Sequence, residues 1–181
     1  AGHDTVVFEH AGVRFGLAIC EDVWYAGPTM NAKTAGAEVL LVLNASPYHL
    51  DKAVDRQGVL QQRVAETGLS MVYCNLVGGQ DELVFDGASF AMDANQHVAT
   101  RLPQFKEALA VLDAVTCPGE PTVLQAHQPC TPELELTAQV YEALKMGVHD
   151  YVTKNRFPGA IIGLSGGVDS ALTLAIAVDA L

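Results

Sequence analysis

The chain has 181 residues, of which half are apolar and 17% are charged, and its formal net charge at pH 7 is −11. This apolar content excludes a disordered chain, and the length is enough for a domain with a sizeable core. The acidic balance argues against nonspecific binding to nucleic acids or anionic membranes, which need a basic surface, although backbone amides can still bind a small anion.

The first part of the chain predicts alternating strands and helices, as in an α/β fold. The apolar runs VRFGLAIC (Val13–Cys20) and EVLLVLNAS (Glu38–Ser46) have the length of strands that are covered on both faces. The alanine-rich stretch Thr29–Gly36 between them predicts a short helix. A second helix is predicted over Lys52–Thr67, with Gly68 ending it, because glycine commonly follows the last helical turn.

Residues 69–102 predict a strand followed by hairpins. Their strand-like runs are separated by Gly78 and Gly79, by Asp86 and Gly87, and by residues 93–96, which are turn signals between antiparallel strands. The run EALAVLDAV over residues 107–115 predicts one further strand.

Proline marks a predicted linker in the middle of the chain. Residues 116–132 contain four prolines and no sustained periodicity, so we predict a linker over residues 116–131. Residues 1–115 are then predicted to form one domain, and residues 132–181 the start of a second.

The second domain is predicted to open with a helix. Thr131 would be its N-cap and Pro132 its first residue, and Pro158 and Gly159 would end it. A short buried strand over Ala160–Leu164, a glycine-rich loop and a buried helix over residues 168–181 would follow. The first helix carries an apolar stripe made of Leu136, Val140, Leu144, Val148 and Tyr151.

The loop SGGVDS is a candidate phosphate site. Gly166 and Gly167 allow a tight turn in which backbone N–H groups converge on one anion, and Ser165 and Ser170 add hydroxyl donors. The loop lacks a Walker A lysine, so a bound pyrophosphate would depend on the amides and on a metal such as Mg²⁺, for which Asp169 is the suitable ligand. A plain glycine turn is the competing interpretation, but the order of strand, loop and helix favours the phosphate site.

This loop resembles that of the PP-loop ATP pyrophosphatases. The resemblance implies cleavage of ATP to AMP and pyrophosphate, with transfer of the adenylyl group to a carboxyl or carbonyl oxygen. Acceptors adenylated in this superfamily commonly need ammonia, which an attached glutaminase often makes. The residues that match the ATP loop are Gly163, Leu164, Ser165, Gly166, Gly167, Val168, Asp169 and Ser170, and Asp169 matches the magnesium ligand.

Cys20 is a candidate nucleophile because it follows a buried strand and would face the crevice at the carboxyl edge of the sheet. A small buried hydrophobe is the competing interpretation. Glu21 and Asp22 would disfavour a thiolate unless a cation or a base offsets them. His49, near the end of the next strand, is an alternative Cys/His partner.

The segment GLAICEDVWY resembles the cysteine segment of the nitrilase superfamily, in which the cysteine works with a glutamate and a lysine. Both partners lie upstream of the cysteine in that superfamily, and upstream of Cys20 this chain has only Glu9 and no lysine. We therefore expect the chain alone to have no glutaminase activity.

Several segments in this order resemble the family of glutamine-dependent NAD synthetases: GLAICEDVW, LNASPYH, RVAETGL, NLVGGQDELVFDGAS, and the region from YEALKMGVHD through SGGVDS. The resemblance implies the C-terminal part of a nitrilase-like αββα sandwich, a linker, and the first strand, loop and helix of a doubly wound PP-loop domain. Cys20 would hydrolyse glutamine, and the ammonia would amidate deamido-NAD after its adenylation by ATP.

The resemblance also assigns the glutamine contacts. Ser46 and Lys52 match positions that hold glutamine, and Glu21 is expected to contact the α-amino group of the substrate. A lysine suits the substrate carboxylate. An ordinary surface lysine is the competing interpretation of Lys52, and Arg56 is the substitute candidate.

The remaining expectations concern the setting of the protein. The cysteines, which include Cys74, Cys117 and Cys130, show no zinc spacing and suit a reducing cytoplasm. We find no signal peptide and no membrane span, and the family implies small-molecule partners and a homo-oligomer. The chain begins inside continuing structure, so we expect a fragment of a longer protein. The alternatives are another PP-loop glutamine amidotransferase and a non-catalytic fragment with a structural role, such as a subunit-interface scaffold.

Overall fold

The structure, a computed structural model, describes residues 4–117 and 119–181. Residues 1–3 of the predicted first domain and Pro118 of the predicted linker lie outside the described residues. In chain order the elements are β1 (Val7–His10), β2 (Val13–Ile19), a 3-10 turn (Cys20–Trp24), α1 (Ala26–Thr34), β3 (Val39–Asn44), α2 (Lys52–Thr67), β4 (Ser70–Asn75), β5 (Val77–Gln80), β6 (Leu83–Asp86), β7 (Phe90–Met92), β8 (Val98–Arg101), β9 (Leu112–Val115), β10 (Val123–Ala126), α3 (Leu136–Lys154) and α4 (Val168–Ala180).

Six strands form a mixed sheet in the order β1-β2-β3-β4-β7-β8. The strands β2, β3 and β4 run parallel at its centre, and the others pair antiparallel. One face is covered by helices: Leu40 and Met71 of the sheet pack in one cluster with Leu60 and Val64 of α2, and all four are nearly fully buried. Burial of a large apolar side chain stabilises the fold by about 1.5–3 kcal/mol. This packing fixes the carboxyl ends of β2 and β3.

The opposite face of the sheet is only partly covered. The antiparallel hairpin β9–β10 packs Leu124 against Val13. Farther along the strands, Ile19, Leu43 and Cys74 stand in register and are exposed. A β-strand alternates its side chains between two faces, so these residues extend the apolar surface that the hairpin begins to cover.

The helix and strand predictions for the first half are largely confirmed. The helix α2 begins at Lys52 and ends before Gly68, whose φ of +66° lets the chain leave the helix. The turn predicted at Gly78 and Gly79 is wrong, because both lie inside β5 and the chain reverses at Asp81, whose φ is +50°. Gly79 does not make a turn but allows the close approach of a helix, α3.

The strand predicted over residues 107–115 is confirmed only for its second half, Leu112–Val115. The segment predicted as a linker contains β10, which pairs antiparallel with β9. A four-residue strand is too short to show a periodicity in sequence.

The predicted start of α3 is wrong. The helix begins at Leu136, and the residues before it are bonded to the first domain: the Thr131 N–H donates to the Arg101 carbonyl oxygen at 2.9 Å, and the Leu134 N–H donates to Gln104 Oε1 at 2.9 Å. Glu133 also forms an ion pair with Arg101. These tertiary contacts override the local capping signal.

The predicted strand over Ala160–Leu164 does not form, and α4, predicted to be buried, is mostly exposed, with only Ile176 and Ala180 buried among its described residues. A strand needs a neighbouring strand to satisfy its N–H and C=O groups, and no described strand lies beside this segment. Ile161 is fully exposed, and Val168 of α4 is 80% exposed. Among the described residues, no helix combines the length and apolar character needed to cross a bilayer.

Helix α3 packs on the β5–β6 hairpin at Gly79. The Gly79 N–H donates to the Asp150 carboxylate at 2.6 Å, and the Lys154 ammonium donates to the Gly79 carbonyl oxygen at 2.6 Å. Lys154 Nζ also lies 2.9 Å from the Asp150 carboxylate. A methyl group at Gly79 would lie 3.1 Å from Asp150 Cβ and 3.3 Å from the Met146 carbonyl oxygen. Gly79 is therefore a close contact between the hairpin and α3.

We expect Gly79→Ala to weaken the docking of α3 by about 1–2 kcal/mol, because the added methyl group meets the α3 backbone. Amide hydrogen exchange of α3 measures this loss. Gly58→Ala is the matched control: Gly58 lies inside α2 with open space around the added methyl group, so alanine should stabilise the chain by about 0.5–1 kcal/mol. Unchanged protection of α3 in Gly79→Ala would contradict the prediction.

The docking of α3 should also depend on pH. Burial would raise the pKa of Asp150, but the Gly79 N–H and the Lys154 ammonium together hold this pKa below its ordinary value of 3.8. Because the Asp150 pKa is lower in the folded chain than in the unfolded chain, ionised Asp150 stabilises the fold. This stabilisation is complete above pH 3.8 and is lost as the pH falls through the lower pKa of the folded chain. We expect the stability difference between the wild type and Asp150→Asn to vanish across this acid range, as measured by thermal unfolding. A difference that persists below it would contradict this prediction.

Candidate active site

Cys20 stands at a sharp turn where β2 ends. Its φ of +49° is a left-handed value that costs a residue with a side chain about 1–2 kcal/mol. The Asp22 carboxylate holds the turn by accepting a hydrogen bond from the Ile19 N–H at 2.8 Å. The half-buried thiol therefore sits at the carboxyl edge of the sheet, where open α/β sheets bind their ligands.

A cleft of about 350 Å³ opens beside the thiol. Cys20, Glu21, Ser46 and Lys52, which the sequence predicts as site residues, all line it. They meet because β2 and β3 are adjacent parallel strands whose carboxyl ends lie at one edge. The other lining residues are Trp24, Tyr25, Pro47 and His49.

Lys52 and Glu21 give the cleft a cation and a carboxylate. Lys52 Nζ lies 4.4 Å from the centre of the Trp24 ring, and this cation–π contact holds the ammonium in place. Glu21 is exposed. A free amino acid, which carries both charges, would find an opposite charge for each of its ends.

Ser46 is held in the wall of the cleft by a buried arginine. Arg56 Nε donates to Ser46 Oγ at 3.2 Å, and Arg56 Nη2 donates to the Ser46 carbonyl oxygen at 2.7 Å. Arg56 Nη1 contacts the two Asp86 carboxylate oxygens at 2.8 and 3.0 Å. Arg56 is 2% exposed and Asp86 1%. With its donors engaged in this way, Arg56 is not available to replace Lys52 as the partner of a substrate carboxylate.

Sequence reasoning missed Asp86 and Asn75 as parts of this wall. Asn75 Oδ1 accepts a hydrogen bond from the Ser46 N–H at 2.9 Å. In the sequence Asp86 indicates only a turn, and its partner Arg56 lies 30 positions away. The one available signal was an acidic residue between two apolar stretches, LVF and GASF.

Tyr73 is buried close to Ser46. Its pKa is raised mainly by burial, and the Arg56 charge and the Ser46 hydroxyl oppose that rise. The Tyr73 hydroxyl nevertheless has no partner within hydrogen-bonding distance among the described residues.

His49 and Glu9 are not placed as partners of Cys20. His49 Nδ1 lies 2.7 Å from the Leu50 carbonyl oxygen, and in the described part of the chain no hydrogen bond joins His49 to the thiol. In the β1–β2 register, Glu9 lies opposite Arg14 near the start of β2. Cys20 follows the end of β2, about 20 Å from Arg14 along the strand. Within residues 4–117 and 119–181, no upstream glutamate and lysine reach the thiol.

The donors of the SGGVDS loop bond within the loop: the Gly167 N–H donates to Ser165 Oγ at 3.4 Å, and the Ser170 hydroxyl donates to the Gly167 carbonyl oxygen at 2.9 Å. A bound anion would have to replace these bonds. Gly166 has a φ of +87°, and Gly167 precedes the first turn of α4, whose N–H groups have no helical partners. Ser170 Oγ lies 3.1 Å from Ser165 Oγ, so both hydroxyls face the same turn. The loop is exposed, and its geometry is that of an anion site at a helix N-terminus.

Asp169, in the first turn of α4, is the carboxylate of this loop. Within the described ranges, no group of three or more His, Cys, Asp or Glu side chains is placed to hold a metal. One carboxylate is enough for Mg²⁺ that takes its other ligands from phosphate oxygens and water. One carboxylate beside amide and hydroxyl donors is compatible with Mg²⁺ that is bound together with a phosphate group.

Comparisons with known proteins define the class. Residues 1–116 match the family described as carbon-nitrogen hydrolase, and residues 140–181 match NAD synthase. The chain belongs to the carbon-nitrogen hydrolase family, and its last part is similar to NAD synthase.

Its relatives are glutamine-dependent NAD(+) synthetases. The protein from Acinetobacter baylyi is 42% identical over 180 residues, which are 99% of this chain and 32% of that protein. The protein from Rhodobacter capsulatus is 43% identical over 170 residues, 93% of this chain and 30% of that protein. The chain thus spans about a third of the length of the curated relatives it matches.

Solved structures confirm the expected fold class, a nitrilase-like part followed by the start of an NAD synthase domain. The glutamine-dependent NAD+ synthetase from Acinetobacter baumannii in complex with ADP superposes with a TM-score of 0.88 at 43% identity, covering 99% of this chain and 34% of that one. An amidase from Nesterenkonia sp. AN1 matches 57% of this chain and 40% of its own, with a TM-score of 0.50 at 26% identity. In that amidase, acrylamide is attached to the active-site cysteine.

Proposed function

We propose that this chain is part of a glutamine-dependent NAD synthetase and carries one half-site of each of its two reactions. The observation that carries the proposal is the convergence of Cys20, Glu21, Ser46 and Lys52 on one cleft, in a chain that also carries the SGGVDS loop. The names of the relatives support it. We further propose that the full-length protein is a cytoplasmic homo-oligomer whose partners are glutamine, ATP and deamido-NAD.

In the first reaction the Cys20 thiolate attacks the side-chain carbonyl carbon of glutamine. The C–N bond breaks to leave a thioester, and the nitrogen takes up a proton and leaves as ammonia. Water then attacks the thioester, which frees glutamate and returns the thiol. Lys52 binds the substrate carboxylate and Glu21 its ammonium group, while Ser46 orients the substrate from the cleft wall.

In the second reaction a carboxylate oxygen of deamido-NAD attacks the α-phosphorus of ATP, and pyrophosphate leaves. Ammonia attacks the acyl carbon of the adenylate, and AMP departs with the C–O electron pair. The part of this chain is to hold the pyrophosphate: the N–H groups of Gly166, Gly167 and Val168 and the Ser165 and Ser170 hydroxyls would bind its oxygens. The Gly167 N–H and the Ser170 hydroxyl would exchange their bonds within the loop for bonds to the ligand. Asp169 would hold Mg²⁺ in part, and the ion would supply positive charge beside the leaving pyrophosphate.

Pyrophosphate release by the full-length protein tests this proposal. Deamido-NAD, ATP and glutamine together should release pyrophosphate, whereas xanthosine monophosphate or aspartate in place of deamido-NAD should not. Release with one of those substrates instead would favour another PP-loop amidotransferase. Release with none of them would favour a structural role.

The chain alone should be inactive, since the described residues bring no upstream glutamate–lysine pair to Cys20. A glutamine analogue that alkylates active thiols should label Cys20 no faster than the exposed Cys130. Rapid and selective labelling of Cys20, detected by mass spectrometry, would refute this expectation.

A further inference from the structure

We propose that Arg56 and Asp86 are positioning residues for glutamine recognition that act through Ser46. The proposal rests on the proposed function. Neither residue lines the Cys20 cleft, so neither is a substrate contact. Arg56 nevertheless donates to three acceptors in the wall of that cleft: Ser46 Oγ, the Ser46 carbonyl oxygen and, at 3.2 Å, the Pro47 carbonyl oxygen.

The contacts of Arg56 fix the direction of the Ser46 hydroxyl. A guanidinium is always a donor and has no acceptor, so Ser46 Oγ must be the acceptor in its bond with Arg56 Nε. The Ser46 N–H is already donated to Asn75 Oδ1. The hydroxyl hydrogen is therefore the one polar hydrogen that Ser46 has left. The buried Tyr73 hydroxyl lies close to Ser46 and has no partner at hydrogen-bonding distance among the described residues, so it competes with a bound substrate for this hydrogen.

Ser46 therefore presents a hydrogen-bond donor to the cleft. A donor at this position selects an acceptor atom, such as the amide oxygen or the carboxylate of glutamine. If Arg56 were moved, Ser46 Oγ could accept as well as donate, and this selection would be lost. Arg56 thus determines what Ser46 can recognise without touching the substrate.

Asp86 keeps the guanidinium in place. Its two carboxylate oxygens bind Arg56 Nη1, so the buried pair has no net charge. Asp86 is the last residue of β6, and the same strand accepts a hydrogen bond from the Tyr48 N–H at the Val84 carbonyl oxygen, 2.7 Å away. The β5–β6 hairpin therefore fixes the loop that carries Ser46 at two points.

Arg56→Lys in the full-length protein tests the proposal, because lysine keeps the charge but cannot hold Ser46 and Asp86 together. We expect the KM for glutamine to rise about tenfold or more, from the loss of hydrogen bonds made by a charged donor. NAD synthesis from added ammonium should stay within about twofold of wild type, since ammonium bypasses the glutamine site.

Arg63→Lys is the matched control. Arg63 lies on the same helix and is also buried, but it pairs with Glu66 instead of Ser46. The Arg63→Lys substitution should leave the KM for glutamine unchanged. Because Arg56 acts through Ser46, the combined effect of Arg56→Lys and Ser46→Ala on this KM should be smaller than the product of their separate effects.

Three outcomes would overturn the proposal. The first is that Arg56→Lys and Arg63→Lys change the KM for glutamine equally. The second is that Arg56→Lys lowers ammonium-driven and glutamine-driven synthesis equally. The third is that the effects of Arg56→Lys and Ser46→Ala on this KM multiply fully in the double variant. A wild-type protein that makes no NAD from either nitrogen source would instead overturn the proposed function, and the positioning role with it.

Discussion

Replacing Cys20 by alanine is expected to lower glutamine-dependent NAD synthesis by the full-length protein about a thousandfold or more, because the thioester cannot form without the thiol. Synthesis from added ammonium should remain within about twofold of wild type, since ammonium enters after the step that the thiol performs. Steady-state rates with each nitrogen source, measured by NAD formation, check both expectations.

Cys74→Ala provides the matched control for this substitution. Cys74 is also a free cysteine near the end of a central strand, but it stands exposed on the sheet face beside Leu43, and it does not line the Cys20 cleft. Its loss should leave both rates unchanged. Glutamine-dependent synthesis that survives in Cys20→Ala would show that ammonia is made elsewhere in the protein.

Removing the carboxylate of Asp86 is expected to destabilise the chain by about 3–5 kcal/mol, because Asp86→Ala leaves the Arg56 charge buried without its partner. The free energy of unfolding of the 181-residue chain in urea measures this effect. A replacement of both members, Arg56→Met with Asp86→Leu, should recover much of the loss, since no buried charge remains.

Glu66→Ala separates this effect from the ordinary loss of an ion pair. Glu66 pairs with Arg63 one turn away on α2, and its side chain is 31% exposed. Because Glu66 reaches solvent while Arg63 is buried, this partly exposed pair should contribute less than the fully buried pair of Arg56 and Asp86. If Asp86→Ala costs no more than Glu66→Ala, the buried pair is not what stabilises this part of the fold.

The sequence predicts best those elements whose signals are local. The limits of α2 follow from its own residues and from Gly68, and the strands β2 and β3 from their own apolar runs. The segment Ala160–Leu164 has an equally clear strand pattern, yet it forms no strand, because pairing depends on neighbours that the described residues do not provide. The start of α3 depends in the same way on contacts with Arg101 and Gln104, which lie far away in sequence.

The residues of the candidate site also fall into two groups, those that a local sequence signal indicates and those that depend on distant contacts. Cys20, Ser46 and Lys52 could be predicted to lie together because they follow or adjoin the ends of parallel strands, and they line one cleft. Asp86 could not be found in this way, since nothing in the run LVFDGASF indicates that its carboxylate is buried against Arg56. Side chains that contact solvent or a ligand are thus easier to recognise in a sequence than the buried groups that orient them.

The contacts at Gly79 would hold the two parts of the chain together even if the polypeptide between them were cut. Residues 132–135, just before α3, are exposed and accessible to a protease. A cut there would break the polypeptide between β10 and α3 but leave the Asp150 and Lys154 bonds to Gly79 intact. The two pieces of a nicked chain should therefore migrate together in size-exclusion chromatography and come apart only when denaturant releases α3 from the hairpin.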